Sequence, residues 1–456
     1  MRHNGVTLVA VNLVAVLVAA AGCGSGDNGG GPEGPDFSAT PAGTLRAWGF
    51  NSTDDVGRAR LAHAQGLLGG VTIEIDQTGF DAQKFTTRIA SGNLPDVVQM
   101  DRQYVATYAA QRLILPMDRC YSAKNVDPKA RFYPAVIGDV TYENQVWAVP
   151  QFFQPPTILI NKKLTGAAGV ADAEFDTSNP TALLGAIAKL YKESGGVPAT
   201  LGFHPVATGQ TNLWMLGLGG RLIDEKGAPT LDDPANVYPL ETLKRILDAQ
   251  GGFAKVKSFG DSFDVFGQSN QFVTDKVAAE VNFQWYVNVL APYKDRLELS
   301  AVPFKGKDGK PVAIAAGATA FVIPAGAKNP SAACAWALAL TSQDNWMAAA
   351  EARAATVQQR NSIFTGLFTG SPDADRAIRE KYVKPSGNAG FDQVIATYYD
   401  VVGAGRSFGA SPAGQQIQQE LINAITATSL GSKSAQQALA DAQAAAKRAY
   451  DTVVRG

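Results

Sequence analysis

The stretch DAQKFTTRIASGNLPDVV, residues 81–98, decides the fold class. Asp81 offers a side-chain acceptor to the open amides of a first helical turn. Ala82, Phe85 and Ile89 then share one face at helical spacing, and Gly92 supplies the residue that ends a helix. Leu94-Pro95-Asp96-Val97-Val98 follows as a short apolar run, a strand by its length and its β-branched pair. Upstream, Thr44–Phe50 reads as a first strand and Val71–Ile75 as a second, with the period-two alternation of a pleated chain. Downstream, a helix near Tyr104–Leu113 gives way at Pro116. Strand, helix, strand, helix is the rhythm of a parallel sheet covered on both faces, an α/β architecture.

Farther along, Tyr142–Ile160 carries extended apolar pieces around Pro150, Pro155 and Pro156. Three prolines fix φ and remove donors, so the segment is no helix, and it reads as the first crossing between two lobes. Beyond Pro180, helices alternate with strands at Ala278–Phe283, Leu299–Pro303 and Thr319–Pro324; the last of these runs into a helix rich in Ala and Trp. The final third is helical and closes with Ser434 and Gln437 as a capping box for an Ala-rich amphipathic helix reaching Val454. A chain of 456 residues exceeds one hydrophobic core and suits two. The boundaries expected are 44–150 plus 299–326 for the first α/β lobe and 151–298 plus 327–456 for the second. No period of solenoid length is present.

The N-terminus sets the compartment. Arg2 precedes an apolar run from Val6 to Ala21, followed by Gly22 and Cys23, which is the pattern of a secretory signal over residues 1–22 and is too short for a membrane span. The Cys at the end of the run resembles a bacterial lipoprotein signal, in which Cys23 is acylated and becomes the first residue of the mature chain, although Ala20 stands where such signals usually carry Leu. The plain alternative is an ordinary signal peptide with an incidental Cys. A lipid chain there would hold the protein at the extracytoplasmic membrane face without spanning it. Residues 23–43, dominated by Gly, Pro, Ser and Asp, read as a flexible tether. Lys and Arg total 40 against 41 Asp and Glu, scattered along the chain, so the basic stripe needed for nucleic acid is missing. Cys120 and Cys334 are either a disulfide of an exported protein or two small buried side chains.

Catalytic constellations are scarce. His63 and His204 are the histidines left after the signal, and neither His-Glu-x-x-His nor Cys-x-x-Cys occurs, so no metal site and no cofactor is expected. A Gly-x-Ser-x-Gly elbow and a P-loop are both missing. The glycines at Gly217, Gly219 and Gly220, and Gly403-Ala404-Gly405, lack the third Gly and the preceding strand of a dinucleotide loop. Asp96, Asp101 and Glu143 flank strand ends, and two carboxylates at the right separation would make a carbohydrate-active hydrolase, which is the alternative function. Sugars present flat C–H faces to aromatic rings and hydroxyls to paired donors and acceptors. Trp48 with Asn51, Asp101 with Arg102, Phe152 and Phe153 with Gln154, and Trp285 with Tyr286 each offer that mixture beside a predicted strand end, where open α/β sheets bind ligands.

Phe85–Val98, Gln145-Val146-Trp147-Ala148-Val149-Pro150 with Leu159-Ile160-Asn161-Lys162, Gly317–Pro324 and Ala339-Leu340-Thr341-Ser342, taken in this order, resemble the family 1 extracellular solute-binding proteins. That group includes maltose-binding proteins and many sugar-import lipoproteins, and the resemblance runs from Thr44 to Val454. It implies a type II periplasmic-binding fold, two lobes closing on a ligand, and delivery of a carbohydrate or polyol to ABC transporter permease subunits by a monomer that catalyses nothing. It implies that Asp101 and Arg102 reach sugar hydroxyls from the first lobe. Gln154 stands where some relatives place Glu, Trp285 matches a stacking Trp on the second lobe, and Trp214 and Thr319 are cleft neighbours. The last stacking aromatic of maltose binders has no match; Phe408 is the one aromatic near that region, which implies a smaller or differently shaped ligand. The scatter of Lys and Arg argues against a highly charged one.

Overall fold

A computed structural model describes residues 35–207, 210–314 and 318–455. The signal segment, Cys23 and most of the tether lie outside the described residues.

The first sheet grows around β1 (Gly43–Trp48), which pairs in parallel with β2 (Val71–Asp76) on one side and with β3 (Val97–Asp101) on the other. Helix α1 (Asp55–Leu67) carries the first crossover and α2 (Ala82–Ala90) the second. The capping read from sequence is present: the Asp81 carboxylate accepts from Lys84 N at 2.6 Å, and Gly92 takes the left-handed φ of 69° that glycine adopts without a Cβ clash. Strand β3 starts at Val97, later than expected, because Asp96 is occupied as a turn anchor. Its buried carboxylate accepts from the backbone amides of Arg46, Lys328 and Asn329 at 2.9, 2.9 and 2.7 Å.

The chain then makes a small hairpin of β4 (Thr141–Tyr142) and β5 (Gln145–Val146), turning through Glu143 and Asn144 at positive φ. Strand β6 (Val149–Pro150) borders the first sheet, and β7 (Pro156–Asn161), buried along its whole length, opens the second. After the hairpin β8 (Lys192–Ser194) and β9 (Val197–Thr200), strands β10 (Ala279–Phe283) and β11 (Leu299–Val302) flank β7, both antiparallel. Strand β12 (Thr319–Val322) returns to the first sheet and inserts between β3 and β6, giving the order β2-β1-β3-β12-β6.

Two expected boundaries are corrected. β11 belongs with β7, Ser300 opposite Ile160, so the chain goes back to the first lobe after Val302 rather than before Leu299. Helix Pro330–Leu340 packs on β1 and β3, and helix Gln343–Gln359 packs on α1, so both cover the first sheet, not the second. The first of these is apolar nearly all round, and such a helix carries no sequence mark of which sheet it covers. The disulfide left open by the sequence is formed between Cys120 and Cys334, with Cα atoms 5.8 Å apart.

The segment from Ser362 to Gly370 lies beside the first crossing, where Phe152 N and Phe153 N donate to Thr369 O and Phe368 O at 2.8 and 3.0 Å. Beneath it, buried Asp375 accepts from the Thr369 amide at 2.7 Å and from its hydroxyl at 2.9 Å. Burial nonetheless pushes this carboxyl up from 3.8 to about 7, the Thr369 bonds only partly opposing it. The folded form therefore holds a proton that the unfolded chain has lost, so stability is highest below about pH 4 from this group and falls as pH rises toward 7. Asp375→Asn, which keeps the accepting oxygen, is expected to flatten that fall in urea titrations run at pH 5 and pH 8. An unaltered pH dependence in the variant would show that the carboxyl is ionised throughout.

Candidate ligand-binding site

The C-terminal edge of the first sheet is shaped by backbone needs. Gly49, at φ 91°, comes so close to β3 that an added Cβ would lie 2.7 Å from Gln99 O. Asn51 follows, exposed, its side-chain oxygen accepting from the Thr53 amide and hydroxyl at 2.8 and 2.7 Å. That local turn leaves Asp54 free to cap α1, accepting from Gly57 N at 2.7 Å, as Asx residues commonly do.

At the end of β3, Asp101 sits opposite Thr319 of β12. Burial pushes the Asp101 carboxyl up, and the charge of Arg102 partly offsets it. Gln151, wholly buried, ties these strands to the first crossing: its amide donates to Gln99 Oε1 at 3.0 Å and to Thr319 Oγ1 at 2.9 Å. Arg102 bonds Phe152 O at 3.0 Å and sits 3.2 Å from Asp139. Gln154 comes next, half-buried and without a hydrogen-bond partner among the described residues. Pro155 O then accepts from Gln284 N at 3.2 Å, and the Gln284 side chain donates to Thr365 Oγ1 at 3.0 Å. Trp285 is the next residue. A relay of bonds thus links the ends of β3 and β12, which carry Asp101 and Thr319, through Gln151 and the crossing that carries Gln154, to Gln284 beside Trp285.

Trp285 is half-buried and leaves part of its indole open. Phe266, 74% exposed, lies nearly parallel to it with centroids 5.8 Å apart, while Tyr286 meets it edge-on.

Three of the predicted site residues are spent elsewhere. Trp48 is 1% exposed, its indole N–H donating to Thr78 and its ring covered by the Arg88 guanidinium at 4.4 Å. Trp214 is fully buried, bonded to Pro205 O at 2.8 Å and set edge-on to Phe304. Arg102 is buried and pins Asp139 to the crossing; Asp139 in turn accepts from Phe408 N at 3.1 Å. These two tryptophans are core residues, and Arg102 is a structural cation. An indole at a strand end reads the same in sequence whether it faces the core or the cleft; the neighbours that decide it come from distant segments.

Sequence reasoning missed a cavity of about 530 Å³ next to this edge. Thr53, Asp54, Asp55, Arg58 and Arg353 line it from the first lobe and Asn288 from the second. Asn288 lies one helical turn beyond Trp285, whose carbonyl accepts from its amide at 3.0 Å. No cluster of three metal-ligating side chains occurs among the described residues, and none of their helices is long and apolar enough to cross a membrane.

Residues 68–354, more than half of the chain, match the family model described as bacterial extracellular solute-binding protein. The chain belongs to that family. Solved structures repeat its two-lobe type II fold. A protein called CpMnBP1, solved with mannobiose bound, superposes with a TM-score of 0.68 at 21% identity, covering 89% of this chain and 99% of that one. The ABC substrate-binding protein Lmo0181 of Listeria monocytogenes, in complex with cycloalternan, gives 0.67 at 14% identity over 89% and 98% of the two chains. The sugar-binding protein MalE of Xanthomonas citri gives 0.66 at 16% identity over 90% and 97%. No curated protein sequence matches the chain.

Proposed function

We propose that this solute-binding protein captures a carbohydrate between its two lobes and presents it to the permease of an ABC importer. It would do so as a monomer at the extracytoplasmic membrane face, held there by a lipid on Cys23. The observation that carries the carbohydrate is Trp285: a half-open indole at the end of β10, with Gln154 on the crossing and Asp101 and Thr319 at the strand ends that Gln151 ties to it. A ring face and polar groups with donors or acceptors to spare are what a sugar's C–H face and hydroxyls require. Asn51, at the end of β1, completes the set from the first lobe. The sugars bound in related structures, mannobiose and cycloalternan, agree in class.

No chemical step is needed. Open and closed forms of such a protein differ by a few kcal/mol, and a ligand touching both lobes favours the closed one by its differential contacts. Calorimetric titration against mono- and oligosaccharides should yield a binder, with no product formed on incubation; released reducing sugar would replace this function with a hydrolase. Trp285→Ala is expected to weaken the binder by roughly tenfold or more, about 1.4 kcal/mol, while the melting temperature of the free protein hardly moves. Unchanged affinity would remove Trp285 from the site.

A further inference from the structure

We propose that the saccharide carries an acidic substituent, a carboxylate or a phosphate, which Arg58 and Arg360 receive in the cavity beside Trp285; the proposal rests on the carbohydrate function above and narrows it to a substrate class.

The charges of that cavity do not cancel. Asp54 and Asp55 line it, and both are engaged by one guanidinium. Arg353 makes the paired contact typical of carboxylate recognition, Nε and a terminal nitrogen each 2.7 Å from Asp55, and reaches Asp54 at 3.3 Å. Asp54 also caps α1. Hydrogen bonds from Arg353 and Thr356 hold the Asp55 carboxyl down to about 2 despite its burial, so it is ionised and spoken for. Arg58 and Arg360 line the same cavity, and among the described residues neither has a carboxylate partner. Arg58 gives one N–H to Thr53 O, which leaves most of its donors unused.

Position makes the excess charge meaningful. Arg58 and Arg360 stand on the first-lobe wall, and Asn288 stands on the second. The Asn288 side-chain oxygen already accepts from Thr365 at 3.0 Å, so what it has left to offer is its NH2 donor. A sugar ring resting on Trp285 would direct an anionic group toward Asn288, one helical turn on, which shares its cavity with the Arg58 and Arg360 guanidiniums. Guanidinium recognises carboxylate and phosphate through two parallel N–H···O bonds, and such charge-assisted bonds are about twice as strong as neutral ones. A neutral sugar needs no such pair of unpaired cations. The first turn of α1 is already capped by Asp54, so the side chains and not the helix terminus make the site. Arg58 and Arg360 are far apart in sequence, and for that reason the apparent scatter of basic residues, which had argued against a charged ligand, hid their convergence.

Titration calorimetry on the purified protein tests this with matched pairs: galactose against galacturonate, digalactose against digalacturonate, and glucose against glucose 6-phosphate. The acidic member of at least one pair is expected to bind roughly tenfold tighter or better, and the carboxylate and phosphate arms tell the two sources apart. The advantage should shrink between about 0.02 and 0.5 M sodium chloride, as an exposed charge contact does. The double variant Arg58→Gln/Arg360→Gln should lose the preference while keeping its melting temperature and its affinity for any neutral sugar. Equal or tighter binding of the neutral members, or a preference that survives the double variant, overturns the proposal and leaves the carbohydrate function standing. Failure of every saccharide, neutral and acidic, overturns both.

Discussion

Arg60→Ala is expected to lower the unfolding free energy by about 4 kcal/mol. Arg60 is 2% exposed and has no carboxylate within ion-pair distance among the described residues. Its guanidinium is held by Leu340 O, at 3.2 and 2.8 Å, and by Gln151 Oε1 at 2.6 Å. Its charge lies 3.9 Å from the Trp346 ring centroid, with Phe50 and Phe152 at 5.5 and 5.6 Å. Burial pushes its pKa down to about 9, against a smaller raising effect of Asp54, so the group is still a cation at neutral pH. A lysine ammonium in this place would be strongly hydrated and poorly accommodated; a delocalised guanidinium stacks on rings and is less costly to strip of water. Desolvated cation–π contacts contribute about 2 kcal/mol. Truncation removes them, leaves the Leu340 carbonyl and the Gln151 amide oxygen without donors at about 1–3 kcal/mol each, and opens a void among three rings. Arg60→Met refills the void but not the hydrogen bonds, and should cost about half as much. Urea titration of the three proteins gives the order directly; a loss below about 1 kcal/mol in the alanine variant would mean that the buried charge costs as much as its contacts return.

Arg60 also marks where the sequence stopped being legible. The buried face of α1 is Val56, Gly57, Arg60 and Ala64, a stripe with a charged residue at its centre, so apolar periodicity could not reveal the helix. By contrast α2 was plain, since its cap, its apolar face and its terminating glycine are all local. The succession of strands along the chain and the extended, proline-rich segment Tyr142–Ile160 were legible for the same reason. Sheet membership was not: β11 and helix Pro330–Leu340 carry enough apolar surface to cover either sheet, and only pairing with Ile160 or packing on β1 settles them. The candidate site divides along the same line. Asp101, Thr319, Gln154 and Trp285 sit at strand ends or on the crossing that sequence pattern could locate. Whether Trp48 and Trp214 turn inward depends on Arg88, Thr78, Pro205 and Phe304, and the cavity at Arg58 exists because the segment after helix Gln343–Gln359 comes back to α1.

That return is also what the disulfide secures, and removing it is the other large effect expected. Cys120 lies in helix Asp118–Ala123 and Cys334 in helix Pro330–Leu340, both on the first lobe, with 214 residues of sequence between them. The loop so closed contains β7, β10 and β11, the whole second sheet. In the chain-entropy account, cross-linking a denatured loop of that length contributes about 5 kcal/mol. Compact structure in the denatured chain would lower the figure, so about 3–5 kcal/mol is expected for Cys120→Ala/Cys334→Ala. Both sulfurs are fully buried, but alanine retains the Cβ and leaves only a small void, so the native fold should persist. Without the bridge, the returning half of the first lobe is joined to the leading half only by non-covalent contacts: pairing of β12 with β3 and β6, helix packing, and side-chain bonds such as those of Asp96, Arg60 and Arg353. The residues proposed for the ligand lie away from both cysteines in sequence and pairing, so saccharide affinity measured well below the melting transition should be unchanged. A large fall in stability with intact affinity is the outcome expected for a clasp around an inserted lobe. A stability change below about 1 kcal/mol would mean that the oxidised and reduced chains are equally restricted when unfolded, and a loss of affinity would mean that the clasp also sets the angle at which the two lobes meet the ligand.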